Sequence, residues 1–299
     1  MKKMEFKKMR NILIAFIVLF FCADLSYAAL PSPSVRIEKS TVKQGETLVI
    51  EVTPSGTAST TPLAWVGSRR VWLFPYAGKY IGFYSAPAKA VPAIYRTTVV
   101  VAGEKTVKVP VVIKNAKFPV TKLVVTKELN DSGFTSKNIA SNLAEADTPA
   151  IIAALSHPAT SPYFSGAFGF PLKTIVNVGA FGNYRKSGTT ALQHLGTDLQ
   201  AATNTLVYAV NDGVVTMTKR LINYGNSIVI DHGAHIFSMY LHLDRFAVTS
   251  GDKVKKGDII GYSGNTGYSI APHLHLSINV NGTSIDPLNF IETTQSVLH

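Results

Sequence analysis

The segment that decides the fold is the run His273-Leu274-His275-Leu276-Ser277-Ile278-Asn279-Val280, close to the end of a 299-residue chain. Polar and apolar side chains alternate along it, and this period of two predicts a β-strand. Successive side chains of a strand point to opposite faces, so the two imidazoles share one face while Leu274, Leu276 and Ile278 share the other. The segment therefore predicts a sheet with a core on one side and two histidines on the opposite side.

Histidines are concentrated in the stretch that ends at this strand. Six of the eight fall there: His194, His232, His235, His242, His273 and His275. His194 and Asp198 flank Gly196 in a polar segment that predicts a strand edge or a turn. Zinc binds histidine nitrogen and aspartate oxygen in a tetrahedral shell, and a catalytic zinc keeps one position open for water. The stretch therefore predicts a metal site, although a histidine bonded to a carboxylate on a turn would give the same local pattern.

The segment Tyr240-Leu241-His242-Leu243 repeats the alternation of polar and apolar residues. By the same period of two, Tyr240 and His242 are predicted to share a face opposite Leu241 and Leu243. Three histidines can then converge on one concave sheet surface. Tyr240 is accordingly a candidate hydrogen-bond donor to a substrate, with packing in the core as the alternative.

Taken in order, three motifs resemble those of the lysostaphin-type (LytM-type) zinc endopeptidases, which cut peptidoglycan peptides. They are His194-Leu195-Gly196-Thr197-Asp198, Tyr240-Leu241-His242-Leu243 and Pro272-His273-Leu274-His275. The likeness covers residues 165–291 and implies a catalytic domain built on a β-sheet. It also implies that His194, Asp198 and His275 bind one Zn²⁺ per chain, and that His242 and His273 are the unliganded catalytic pair. A His-Glu-x-x-His motif does not occur, which excludes the helical zinc-protease class.

The resemblance implies metal-assisted peptide hydrolysis on the stem peptides or cross-links of peptidoglycan. His242 and His273 share the acid–base work and the stabilisation of the oxyanion, because an unperturbed imidazole has a pKa of ~6.5. Phe181-Gly182-Asn183-Tyr184-Arg185 resembles a family segment, and its last three residues are candidates for holding substrate, with an ion pair as the alternative for Arg185. The bond that is cut, a glycyl bridge or a D-alanyl link, stays open.

Two other functions are compatible with such a domain. Some similar domains have lost zinc ligands and act as non-catalytic regulators that bind the cell wall and activate amidases. That alternative predicts that a metal-binding motif has lost a ligand, whereas His194-x-x-x-Asp198 and His273-x-His275 are both complete here. The other is a wall-binding module whose N-terminal aromatic residues dominate its function.

The first 28 residues have the features of a signal peptide. A basic stretch is followed by an unbroken apolar run from Ile12 to Cys22, which is short for a membrane span, and by Ser26-Tyr27-Ala28, which predicts cleavage before Ala29. We therefore expect export to a periplasm, with a Gram-negative cell favoured, or secretion to the cell wall. An uncleaved anchor is the alternative, but cleavage would leave no permanent membrane attachment.

Charge and cysteine usage limit the partners. The net charge is +11, and the first 28 residues hold five basic and two acidic side chains, so the rest of the chain keeps +8. An exported basic protein is attracted to anionic cell-wall polymers, whereas no nucleic-acid recognition motif occurs. Cys22 is the single cysteine, so the chain after cleavage has no disulfide, thiolate nucleophile or zinc–sulfur site.

The remaining organisation is predicted to be mainly β. Residues 30–115 contain short runs rich in β-branched and aromatic residues, which predict an immunoglobulin-like sandwich with a binding or regulatory role. Its aromatic residues, from Trp65 to Tyr84, are either core or a glycan-binding platform. Residues 116–160 are predicted to be a linker with short helices, one of which starts at Thr148-Pro149. Residues 161–291 form the peptidase domain, which includes a strand over residues 207–215, and residues 292–299 form a tail.

Overall fold

The computed structural model describes residues 29–57 and 60–298. The predicted signal peptide lies outside the described residues. The described chain is mainly β, as the sequence predicts, and Pro31–His299 forms one compact unit. None of the described helices is both long and apolar enough to span a membrane.

Two sheets stack face to face in residues 34–114. One sheet has the order β1-β3-β7-β6 and the other has the order β2-β9-β8-β4-β5, in which only β2 and β9 are parallel. Leu48 and Ile50 of the first sheet pack against Val99 and Val111 of the second. The strands are β1 Ser34–Glu38, β2 Thr41–Lys43, β3 Thr47–Thr53, β4 Leu63–Val66, β5 Arg69–Val71, β6 Phe74–Tyr76, β7 Lys79–Ser85, β8 Ala93–Val100 and β9 Val107–Lys114.

Strands β3 and β7 of the four-stranded sheet are buried on both faces, which explains why β3 has no polar–apolar alternation. Leu48 faces the sandwich core, whereas Val49 faces the opposite side and joins the core of the C-terminal half. On that side Phe83 of β7 contacts Phe290, with ring centroids 5.4 Å apart and an interplanar angle of 69°. A strand that is buried on both faces is expected to be continuously apolar. The two halves of the chain therefore share one hydrophobic core.

The segment between the two halves is more helical than the sequence suggests. It contains β10 Val120–Lys122, α1 Lys127–Asp131, α2 Ser136–Asn142, a π-helical turn Leu143–Asp147 and α3 Thr148–Ala154. α3 begins at Thr148, as the sequence predicts, but Thr148 is not an N-cap, because α2, the π turn and α3 form one continuous helical run. A proline inside a helix lacks the N–H that would bond to the preceding turn. The π turn that precedes Pro149 accommodates this loss.

The C-terminal half is built on a ten-stranded sheet. Its main path is β11-β14-β21-β18-β17-β16-β19, to which β15, β20 and β22 are attached, while β10, β12 and β13 form a separate three-stranded sheet. The elements are β11 Asn177–Gly179, β12 Tyr184–Ser187, β13 Thr190–Gln193, β14 Thr197–Gln200, β15 Leu206–Tyr208, β16 Gly213–Leu221, β17 Gly225–Asp231, β18 Ile236–Phe246, β19 Lys253–Val254, β20 Ile259–Ser263, β21 His273–Val280, β22 Thr283–Ile285 and α4 Pro287–Val297. The predicted strand over residues 207–215 is wrong in its middle, where β15 ends and β16 begins.

The last helix corrects the prediction of a C-terminal tail over residues 292–299. Asp286 caps α4 by accepting hydrogen bonds from the Leu288 and Asn289 amides. Thr294 is fully buried, and Phe290 lies in the shared core. The helix also fixes the N-terminal half, because Asn289 Oδ1 accepts a hydrogen bond of 2.9 Å from the backbone N–H of Thr47.

The shared core makes the two halves interdependent. We expect Phe83→Ala to lower the free energy of unfolding by ~3–5 kcal/mol, the usual cost of removing a buried aromatic ring. Because the ring lies between the halves, guanidinium unfolding of the variant should still give a single transition. Phe170→Ala is the matched control, since that ring is 37% exposed and should cost much less. Two separate transitions in the wild-type protein would contradict the shared core.

Candidate metal centre

Three neighbouring strands carry the site. Asp198 on β14 and Leu241 on β18 lie directly opposite His275 of the central strand β21. His273 precedes His275 by two residues on the same strand, while Leu274 between them is fully buried in the core. The alternation in β21 therefore brings both imidazoles to the face on which Asp198 lies. His194 enters from the turn between β13 and β14.

His242 reaches this face through an irregularity that its sequence did not reveal. Asn226 of β17 pairs with Leu243 of β18, and Ile228 pairs with Tyr240. One residue of β17, Ser227, therefore lies opposite two residues of β18, Leu241 and His242. This is a β-bulge, and His242 has a φ of 62°, in the left-handed region. The bulge turns His242 to the side of Leu241, with which it lines a common cavity. The prediction that Tyr240 and His242 share a face is therefore wrong.

The prediction that Tyr240 binds substrate is also wrong. Its side chain is fully buried in the core, and its hydroxyl accepts a hydrogen bond of 2.9 Å from the backbone N–H of Val210. Ser238 Oγ lies 3.0 Å from the same hydroxyl and 2.7 Å from Nε2 of His232. Tyr240 thus belongs to a buried polar network under the sheet, together with a fully buried His232.

Three donor atoms of the predicted ligands form a small triangle. His194 Nε2 lies 3.0 Å from His275 Nδ1 and 3.0 Å from Asp198 Oδ1. His275 Nδ1 lies 2.8 Å from Asp198 Oδ1. All three residues are buried. Ligand bonds of ~2.0–2.1 Å place tetrahedral ligands ~3.3 Å apart, close to these separations. Two imidazole nitrogens and one carboxylate oxygen are a donor set that suits a zinc-type cation.

The hydrogen bonds of His194 Nδ1 and His275 Nε2, the nitrogens that point away from the triangle, determine which nitrogen of each ring carries the proton. His194 Nδ1 lies 2.9 Å from the carbonyl oxygen of Ala180, which can only accept, so Nδ1 carries the proton. Ser277 Oγ donates its hydrogen to the Leu195 carbonyl at 3.0 Å and therefore accepts from His275 Nε2 at 2.9 Å. Both inward nitrogens then present lone pairs to one point, as metal ligands must.

The predicted catalytic pair is anchored in the same way. His242 Nδ1 donates to the Thr266 carbonyl at 2.8 Å, and His273 Nδ1 donates to the Ala271 carbonyl at 2.8 Å. Their ring centroids are 4.9 Å apart, and His273 Nε2 lies 3.5 Å from Asp198 Oδ1. The Nε2 atoms of both rings are therefore available beside the ligand triangle. The structure brings together all five residues that the motifs assigned to metal binding and catalysis.

The pKa values reflect this crowding. Burial raises the pKa of the Asp198 carboxyl, but the surrounding imidazoles of His194, His273 and His275 outweigh burial and hold the pKa well below its usual range. Burial, with the nearby His273 and His275, lowers the pKa of His242 to about 3. Burial also opposes a charge on His273, yet the hydrogen bond to Asp198 raises its pKa overall. The two rings of the catalytic pair thus lie in electrostatically different surroundings.

The comparison with known families identifies the domain that holds this centre. Residues 192–287 match the model of peptidase family M23, and this span contains all five site residues. Residues 192–287 are therefore a peptidase M23 domain, similar to those of the lysostaphin-type (LytM-type) peptidoglycan hydrolases. The motif order in the sequence predicted this match.

Relatives of the M23 domain include two with named activities. The peptidoglycan DD-endopeptidase ShyA of Vibrio cholerae serotype O1 is 43% identical over 95 residues, which are 32% of this chain and 22% of the relative. The glycyl-glycine endopeptidase ALE-1 of Staphylococcus capitis is 37% identical over 127 residues, covering 37% of this chain and 34% of the relative. The matched residues thus span only a fifth to a third of these relatives.

A solved structure resembles the whole architecture. A crystal structure described as a peptidase M23 from Pseudomonas aeruginosa has a TM-score of 0.58 and 21% sequence identity. The match covers 83% of this chain and 93% of that chain, so it includes both halves. At this identity the likeness concerns the fold alone.

Of the three remaining candidates for substrate contacts, the structure brings only Arg185 to the M23 centre. Arg185 donates to Asp198 Oδ2 at 2.8 Å, while Asp198 Oδ1 faces the triangle. Asn183 and Tyr184 instead pack toward the connecting segment: the Tyr184 N–H donates to the Pro119 carbonyl at 2.9 Å, and Thr121 Oγ1 donates to Asn183 Oδ1 at 3.4 Å. A role for either in substrate binding stays a prediction.

Two supporting residues were missed by the sequence analysis. Ser277 holds the His275 ring, and its position two residues after His275 on the same strand face is a signal that could have identified it. Gly196 packs so closely that an added Cβ would overlap His275 Nε2 and Ser277 Oγ. The glycine of the His-x-Gly-x-Asp motif therefore makes room for the anchored imidazole.

A cavity of about 490 Å³ opens beside the M23 centre, and part of its wall comes from outside the M23 domain. His194, His242 and His275 line it together with Ile139, Leu143, Ile151 and Leu155 of the connecting helices. Asp147, which is fully buried in the π turn, fixes these helices by accepting hydrogen bonds of 2.8 and 2.7 Å from the amides of Ile222 and Asn223. The connecting segment, residues 120–155, therefore forms part of the wall of this cavity.

The anchoring of His275 gives a test that does not depend on catalysis. We expect Ser277→Ala to weaken Zn²⁺ binding ~10–100-fold, because the freed ring no longer holds its ligating nitrogen in place. Competition with a chelating dye measures the affinity. Ser227→Ala is the matched control, since its buried hydroxyl bonds to the Gly225 carbonyl at 3.0 Å on another strand. Equal zinc affinities in the two variants would contradict the assigned role of Ser277.

Proposed function

We propose that this protein is an exported zinc metalloendopeptidase that hydrolyses stem peptides or cross-links of bacterial peptidoglycan. The observation that carries the proposal is the convergence of His194 Nε2, Asp198 Oδ1 and His275 Nδ1 within hydrogen-bond distance of one another. Each imidazole presents a lone pair there, and the carboxylate is held ionised. The donor set is complete, which supports the enzyme over a regulator that has lost its metal ligands.

The chain's own residues supply the acid–base part of the reaction. A zinc ion held by the triangle would act as a Lewis acid and lower the pKa of a water molecule to ~7. His242 and His273 present their Nε2 atoms next to this point. One ring takes the proton of the attacking water, and the other donates an N–H to the oxyanion that forms on the scissile carbonyl. The proton then passes to the leaving amine.

The proposed substrate is an extended peptide of small residues. Between the two activities named among the relatives, DD-endopeptidase and glycyl-glycine endopeptidase, we favour cleavage of a D-alanyl link. The predicted signal peptide and the N-terminal half support a Gram-negative periplasm as the site of action. We also propose that residues 30–115 are immunoglobulin-like and that residues 161–291 delimit the peptidase domain.

The connecting segment is proposed to restrain the groove. Its helices share a cavity wall with the metal ligands, and a volume of about 490 Å³ is in the range of pockets for small ligands rather than of an open channel for a polymer. The hydroxyl of Tyr268, in the loop between β20 and β21, donates to the Val124 carbonyl of the same segment. The backbone N–H of Tyr268 also donates to the Asn223 carbonyl at 2.7 Å, so residues 222–223 and Tyr268 form one attachment area for the segment.

The enzyme proposal is tested on purified peptidoglycan sacculi, with soluble fragments identified by mass spectrometry. We expect the chain without residues 1–28 to shorten cross-linked peptides. His273→Ala should retain zinc and lose ~10²–10⁴-fold in rate, the usual contribution of a general acid or base. His275→Ala should lose both zinc and hydrolysis, as should chelated wild type.

His157→Ala is the control for these variants, because His157 is exposed and bonds only to Ser156. It should behave as wild type. The regulator alternative would replace the enzyme proposal under two conditions. Neither the wild-type chain nor a variant with a loosened connecting segment would release fragments, and the wild-type chain would accelerate a cell-wall amidase.

The restraint has a separate test at Asp147. We expect Asp147→Asn to loosen residues 120–155, because a neutral amide accepts weaker hydrogen bonds from Ile222 and Asn223 than a carboxylate does. Limited proteolysis should cut this segment sooner, and hydrolysis of sacculi should rise several-fold. Glu145→Gln changes an exposed charge of the same π turn and should alter neither. Faster proteolysis without faster hydrolysis would show that the segment does not limit the reaction.

A further inference from the structure

The aromatic residues of the N-terminal half separate into two groups that the sequence could not distinguish. Phe74, Phe83 and Tyr84 are buried in the two cores. Trp72 is 37% exposed, and Trp65 is partly exposed on β4. These are the two tryptophans of the chain. Both therefore lie at the surface of the sandwich rather than inside it.

The tryptophans are linked by a cation. The guanidinium carbon of Arg70 lies 5.4 Å from the Trp65 ring centroid and 4.6 Å from the Trp72 ring centroid. On its other side Trp72 stacks on His235 of the C-terminal half, with centroids 4.1 Å apart and planes at 13°. Arg70 has no carboxylate partner among the described residues. The stack fixes two large rings and leaves a positive charge between them.

Strand pairing extends this stack into a row across the outer face of the five-stranded sheet. Trp65 is paired with Arg70 on one side and with Thr98 on the other, and Thr98 is paired with Lys108. Paired residues of antiparallel strands lie on the same face. Because Ala64, Val99 and Val111 face the sandwich core, these residues face outward. Four strands at ~4.8 Å spacing make the row about 15 Å long.

The outward face is positively charged throughout. Five cations lie on it, and none of the outward residues of these five described strands is acidic. The cations are Lys43, Arg70, Arg96, Lys108 and Lys114. Neither Arg96 nor Lys108 has a carboxylate partner in the part of the chain that the structure describes. The face also exposes apolar surface, including Ile94, which is 74% exposed.

We propose that this face, formed by β2, β9, β8, β4 and β5, binds an anionic glycan strand. The exposed parts of the tryptophans offer apolar surface to sugar rings, and the row of unpaired cations complements carboxylates along the chain. The inference deepens the proposed function, since peptidoglycan is a glycan polymer bearing carboxylates. The N-terminal half then holds the polymer while the M23 centre acts on its peptides.

The position of the tryptophans makes the test direct, because selectively excited tryptophan fluorescence comes from Trp65 and Trp72 alone. The chain without residues 1–28 is titrated with hyaluronan oligosaccharides, which alternate N-acetylglucosamine with a carboxylate-bearing sugar. We expect a saturable change in emission that weakens as salt is raised. Neutral chito-oligosaccharides of equal length should bind at least 10-fold more weakly. His275→Ala should bind as wild type, which separates this result from any failure of hydrolysis.

Variants locate the binding. The double variant Arg96→Ala/Lys108→Ala should lower affinity about 10-fold, whereas Lys219→Ala/Arg220→Ala, which removes two exposed cations of β16, should leave it unchanged. Trp72→Phe should lower affinity and retain the melting temperature. Equal losses in both double variants, or no emission change with hyaluronan, would overturn the proposal. Tighter binding of oligo-dT or of anionic lipid vesicles than of hyaluronan would overturn it too, and would name the actual partner class.

Discussion

An imidazole has two nitrogens, and the fold uses the outer one of each site histidine as an anchor. Carbonyl oxygens of Ala180, Thr266 and Ala271 and the hydroxyl of Ser277 accept these four bonds. Carbonyls cannot donate, and Ser277 has already given its hydrogen to Leu195, so each neutral ring presents a lone pair at its inner nitrogen, and a protonated ring presents an N–H there. The chemistry of the centre therefore depends on backbone positions in three loops. This is why residues far from any motif, such as Ala180, matter for the geometry of the metal site.

The second constraint is the sheet β1-β3-β7-β6, whose central strands β3 and β7 are buried on both faces. One face closes the sandwich and the other packs against Phe290 of the last helix. A domain joined only by a linker would move freely relative to its neighbour, whereas a large apolar interface fixes the relative position. The outward cationic face of the five-stranded sheet and the candidate metal centre are therefore held at one fixed separation. Asp147 fixes the connecting helices to this body by accepting hydrogen bonds from the Ile222 and Asn223 amides.

Local patterns predicted those parts of the site that follow strand periodicity. The period of two placed His273 and His275 correctly, and the order of the motifs predicted the five site residues. The same rule failed at His242, because a bulge is set by pairing with β17 and not by its own sequence. It also missed that Phe83 and Trp72 have different surroundings, since an apolar side chain has the same pattern in a core or on a face. The role of Asp147 depends on amides 75 and 76 residues away, which local sequence does not specify.

The bulge at His242 has an energetic consequence. A non-glycine residue held in the left-handed region costs on the order of 1–3 kcal/mol, and a stable domain has a total of only ~5–15 kcal/mol. Glycine at this position would relax the backbone and make the protein harder to unfold, while removing the imidazole. Selection for durability alone would therefore discard this histidine. The strained conformation is therefore a stability cost that the chain carries where it brings this imidazole to the ligand triangle.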